Sequence, residues 1–78
     1  MQFQKLNAPS LKDMFVTQIR ENILSGLLPV GSKMPSEREI ADQMQVSRAV
    51  INSGFELLAR QGFLEIVPRQ GVFVTDYC

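Results

Sequence analysis

Four side chains near the middle of the chain, Arg48, Ala49, Asn52 and Ser53, are spaced so that a helix would keep all four on one side. Their chemistry suits the reading of base edges. An Arg guanidinium can take guanine O6 and N7 with two hydrogen bonds, an Asn amide can take adenine N6 and N7, and an Ala methyl can meet a thymine methyl. On spacing alone, Asn52 and Ser53 are as readily solvated surface groups as base readers. Catalytic chemistry has almost nothing behind it. The chain has no His, a single cysteine at its last position, no phosphate-binding glycine loop, and no Ser or carboxylate with an evident base partner. No enzyme activity, metal or cofactor is therefore expected, and Cys78 is expected to be incidental.

The elements that must position these four residues are legible on either side of them. Ser47 is an N-cap candidate, and the apolar positions 51, 54, 55 and 58 follow the i, i+3, i+4, i+7 template, with Gly62 as the C-terminal stop. Ahead of it, Ser36 caps a shorter helix, and Glu39 is placed to return a carboxylate to the Ser36 amide as in a capping box. Ile40, Ala41 and Met44 form its narrow apolar stripe, with Ala41 small enough for a steep helix crossing. Only Gln45 and Val46 separate that stripe from Ser47, so the chain turns tightly. Beyond Gly62, the β-branched and aromatic runs 63–67 and 72–75 flank Pro68, Arg69, Gln70 and Gly71, which predicts an antiparallel hairpin with a basic tip. Such a tip can follow a phosphate backbone or enter the minor groove, Gly71 allowing close approach and Arg69 supplying charge. Upstream, Ser10 and Asp13 open a core helix whose stripe is Leu11, Phe15, Ile19 and Ile23, joined by Val16 and Leu24. Pro29 and Gly31 turn the chain, and Lys33 with Met34 is placed to form a very short strand against the hairpin. The expected fold is mainly α with a small antiparallel β-hairpin: a winged helix-turn-helix of three helices plus a wing. Its helix-turn-helix should occupy about 36–61 and its wing about 63–75, within a domain spanning 10–76 after a loosely ordered segment 1–9.

The stretches PSEREIADQMQVSR, AVINSGFELLARQGFLE and RQGVFV, taken in order, resemble the amino-terminal DNA-binding domain of GntR-type bacterial transcriptional regulators. Upstream, IRENILSGLLPVGSKM resembles that family's first helix and its exit, so the likeness covers roughly residues 10–76. The resemblance implies that Arg38 lies on DNA, that Arg48 meets bases or phosphate, that Ser47 can touch phosphate while capping its helix, and that Gly71 enters the minor groove. With Ala49, Asn52, Ser53 and Arg69, these make up the expected DNA-binding set. Several positions depart from the family pattern. Asn52 stands where Arg or Lys is common and Val50 where Thr is common. Gln45 occupies a turn position that often holds Gly, at a cost of about 1 kcal/mol for a left-handed residue. Gly54 replaces a usual Ala, losing roughly 1 kcal/mol of helix propensity.

Composition fits one small domain. A chain of 78 residues buries only about 60–65% of its unfolded surface, enough for one core and no second lobe. It has no apolar run long enough to span a membrane and no secretory signal, so a cytoplasmic location is expected. Eight basic and eight acidic residues balance to zero net charge, unlike many isolated DNA-binding modules, which predicts modest affinity per copy. The expected partner is a double-stranded, palindromic operator bound by two copies. The resemblance further implies a homodimeric full-length regulator, ligand-responsive and expected to repress, with a small-molecule effector on a carboxy-terminal domain outside this stretch. A winged helix can also serve as a protein-interaction module without DNA binding. The polar face at 48, 49, 52 and 53 discriminates between these readings, since a protein-binding groove would more often expose aromatics there.

Overall fold

A computed structural model describes Phe3 and residues 10–75. The expected loose ordering of 1–9 falls, apart from Phe3, outside the described residues, as does Cys78. Three helices, α1 (Leu11–Leu24), α2 (Glu37–Met44) and α3 (Arg48–Arg60), precede two antiparallel strands, β1 (Leu64–Val67) and β2 (Gly71–Val74).

Each helix begins at a serine that the sequence marks as its cap. The Oγ atoms of Ser10, Ser36 and Ser47 accept from the backbone N–H groups of Asp13, Glu39 and Val50 at 3.1, 3.1 and 3.2 Å, satisfying donors that the helix leaves unpaired. The capping box is altered in one respect. Glu39 Oε1 accepts from the Ser36 hydroxyl at 3.3 Å rather than from the Ser36 amide.

The core forms where α1 lies against α3. Phe15, Val16, Ile19 and Ile23 of α1 meet Ile51, Phe55 and Leu58 of α3, all buried, and the rings of Phe15 and Phe55 stand 5.8 Å apart with their planes tilted by 52°. Leu11 and Leu24 do not join this stripe. At the two ends of α1 they remain more than half exposed, because Leu11 lies a turn ahead of the buried face and Leu24 about 100° around the helix from Ile23. Ile40 and Ala41 of α2 complete the core from a second side, with Met44 half-buried beside them. Arg20 donates from Nη1 to Gln61 Oε1 at 2.9 Å and ties α1 to the residue that ends α3.

Gln45 turns the chain between α2 and α3. Its φ of 58° and ψ of 45° are left-handed, as the glycine preference at this position anticipates. After α3, Gly62 at φ 88° reverses direction, and Thr75 closes the base of the hairpin by donating from Oγ1 to the Gly62 carbonyl at 2.7 Å. Leu64, Glu65, Ile66 and Val67 face Val74, Phe73, Val72 and Gly71 in register. The other edge of β2 is occupied too. Met34 N–H donates to the Val72 carbonyl at 2.7 Å and Val74 N–H to the Ser32 carbonyl at 2.9 Å, while Lys33 pairs antiparallel with Phe73. In place of the expected short strand at Lys33 and Met34, a single bridge at Lys33, flanked by these hydrogen bonds, fastens the wing to the segment leading into α2.

Candidate nucleic-acid interface

Between the first turns of α2 and α3 on one side and the hairpin tip on the other runs an open groove. Lys33, Arg38, Arg48 and Arg69 line it, four of the eight basic residues of the chain, against the two acids Glu37 and Glu39. The neutral whole thus has a locally positive groove. Its floor is apolar, formed by Met34, Phe55 and Val72, so the charges stand around a weakly polarisable surface.

Of the eight residues expected to contact DNA, Arg38, Arg48, Arg69 and Gly71 line this groove. Arg38, Arg48, Ala49 and Asn52 are exposed, while Ser53 is half-buried and sits at the boundary of the open face of α3 rather than on it. That face is therefore narrower than the spacing suggests, because α3 rotates 53 toward the core flank. Ser47 is exposed and committed by its oxygen to the helix cap, with its hydroxyl proton left available.

Glu37, not among the residues expected to contact DNA, joins the two helices. Its Oε2 accepts from Asn52 Nδ2 at 2.6 Å, and its Oε1 lies 3.9 Å from Arg48 Nη2. The two contacts differ in strength. The first is short and charge-assisted; the second is loose, on a guanidinium whose side chain is 66% exposed, where an ion pair contributes little. No local sequence signal could have shown this. Glu37 and Asn52 are fifteen positions apart and meet only through the crossing of α2 over α3.

The hairpin tip is built to hold Arg69 outward. Gln70 N–H donates to the Val67 carbonyl at 3.1 Å, with Pro68 at the second turn position and Arg69 at the third, where φ is 68°. Those are the features of a type II turn, whose third position ordinarily goes to Gly or Asn. Gly71 has a φ of 135°, which L side chains rarely adopt; a Cβ there would lie 2.7 Å from Cε of Lys33, the end of a flexible stem that can shift.

Comparison with known proteins follows the same lines. A family model described as bacterial regulatory proteins, gntR family, matches residues 11–74. An uncharacterized HTH-type transcriptional regulator of Mycobacterium tuberculosis is 31% identical over 74 residues, covering 95% of this chain and 31% of that protein. The Exu regulon transcriptional regulator of Escherichia coli K12 is 34% identical over 66 residues, covering 85% and 26%. The chain thus spans under a third of the length of these two relatives. Among solved structures, AraR(DBD) in complex with operator ORX1 is similar with a TM-score of 0.82 at 28% identity, over 95% of this chain and 93% of that one. YtrA from Sulfolobus acidocaldarius, a GntR-family transcription factor, has a TM-score of 0.83 at 28% identity, over 90% and 73%. With the family pattern matched from the start of α1 to the end of β2, and the helices and wing in the arrangement its solved members share, the chain belongs to the GntR family of bacterial regulatory proteins and is its winged-helix domain.

Proposed function

We propose that this chain binds a specific duplex DNA operator, with the open face of α3 in the major groove and the hairpin tip toward the minor groove, as the DNA-reading part of a transcription regulator. The observation that carries this reading is the groove lined by Arg38, Arg48, Arg69 and Lys33, whose Glu37 wall accepts from the Asn52 amide. Cations at the rim suit phosphates, and Arg48 with Asn52 suits base edges. The AraR(DBD) structure, similar over nearly its whole length, is a complex with operator, which supports the same use of the fold here.

In this reading Arg38, Ser47 and Arg69 hold the backbone, Arg48, Ala49 and Asn52 face bases with half-buried Ser53 at the edge of that face, and Gly71 lets the tip approach the duplex. Two copies occupy a palindromic site, as helix-turn-helix dimers do. The longer protein is homodimeric, with a small-molecule effector on a further domain, and represses from the cytoplasm by occupying its operator. Among the described residues no helix is long and apolar enough to cross a membrane. A protein-interaction role finds no support in the groove, where the aromatic lining residue, Phe55, is 1% exposed.

Replacing Arg48 tests the proposal. Arg48→Ala should weaken binding to a selected operator by about 1–3 kcal/mol while leaving the circular dichroism spectrum and melting curve in place. An unchanged titration against that operator would remove Arg48 from the interface.

A further inference from the structure

We propose that Glu37 is a positioning residue that fixes which base Asn52 reads. The inference rests on the DNA-binding role above and concerns one contact within it. Glu37 stands in the first turn of α2, its side chain 27% exposed, with both carboxylate oxygens turned to α3. The amide of an asparagine has two unlike ends, a carbonyl oxygen that only accepts and an NH2 that only donates. On an open helix face the two can exchange by rotation. Here they cannot, because rotation would set Asn52 Oδ1 against Glu37 Oε2 at the 2.6 Å separation that Nδ2 now holds.

Adenine requires both a donor, for N7, and an acceptor, for the N6 amino group. With one N–H of Nδ2 given to Glu37, the second N–H and Oδ1 remain, and they supply that pair in a fixed order. Guanine presents two acceptors at the same edge, and the locked Oδ1 would face one of them. The carboxylate adds a second bias. Its negative charge keeps a phosphate from taking the Asn52 amide, so that this side chain meets a base edge and leaves the backbone to Arg38, Ser47 and Arg69. Arg48 is held only loosely by the same carboxylate, at 3.9 Å, and is free to leave it for DNA. One acid therefore locks one reader and merely tethers the other.

The test is binding-site selection from a random duplex library with the 78-residue chain and its variants. The wild-type chain should prefer adenine at one position of each half-site by about tenfold or more. Glu37→Ala should cut that preference to less than about twofold and leave the other positions of the site unchanged. Glu37→Gln, whose Oε1 can still accept from Asn52, should restore part of it. Glu39→Ala removes the same charge from the same turn of α2 without a contact to α3, and should keep the adenine preference. Asn52→Ala combined with Glu37→Ala should select the same site as Asn52→Ala alone. An adenine preference that survives Glu37→Ala, or that Glu39→Ala reduces equally, overturns the proposal. A wild-type chain that selects no sequence overturns the DNA-binding reading itself, and this inference with it.

Discussion

At position 54 the ring of Phe15 occupies the space that a side chain would fill. A Cβ built there overlaps the ring, so the glycine is a packing requirement of the α1–α3 contact and its lost helix propensity, roughly 1 kcal/mol, is offset by the aromatic pair it admits. Gly54→Ala should therefore destabilise the domain despite the better helix former, since overpacking costs about 1–3 kcal/mol. Thermal melting checks it: a fall of roughly 5–10 °C is expected, and a rise would show that Phe15 yields without cost. Gly71 differs: its φ of 135° suits glycine, while the Lys33 Cε that a Cβ would meet ends a flexible stem that can move aside. Both glycines could be seen in the sequence, but the ring behind Gly54 could not, because Phe15 is nearly forty residues away along the chain. The same distance problem hid Glu37. Its charge at the start of α2 reads as a helix-dipole partner, and only the helix crossing reveals a ligand for Asn52.

The elements themselves were far more legible, since caps, stripes and turns are local in sequence. Ser10, Ser36 and Ser47 cap as expected, Gln45 takes the left-handed turn, and Lys33 with Met34 joins the hairpin. What local pattern did not give was the turn at the hairpin tip. There Arg69 holds a positive φ of 68° at a position where Gly would be less strained, and such strain is usually found where a side chain is needed. Arg69→Gly separates the two demands. The variant should gain up to about 1 kcal/mol in stability by relieving the backbone, and in the same protein lose a phosphate contact, reducing the salt dependence of DNA binding by about 0.9 in slope. Melting and titration at several salt concentrations measure both. If stability falls, the side chain of Arg69 supports the wing itself.

Taken whole, the molecule has no net charge and yet an uneven one. Half of its cations border a single groove with only Glu37 and Glu39 to oppose them, so affinity should depend steeply on salt for a neutral chain. If Lys33, Arg38 and Arg69 each neutralise one phosphate while Arg48 faces bases, log K against log salt should fall with a slope of about −2.5 to −3 per copy on duplex DNA. A slope near zero across roughly 50–200 mM salt would mean that the groove does not meet phosphates. The groove also has walls that do not move separately. Backbone hydrogen bonds from Met34 N–H to Val72 and from Val74 N–H to Ser32 join the wing to the segment that runs directly into α2, and α2 is in turn packed on α3. If these contacts hold on binding, the span from α3 to the wing tip acts as a fixed gauge that a duplex would have to accommodate. Operators that share every contacted base but differ in the stiffness of the steps between the major-groove and minor-groove contacts should then bind differently, by about 1 kcal/mol or more. Paired titrations of such operators would show it, and equal affinities would mean that the wing gives way instead. This protein should thus select partly by how readily DNA bends to its fixed width, at base pairs that no side chain reaches.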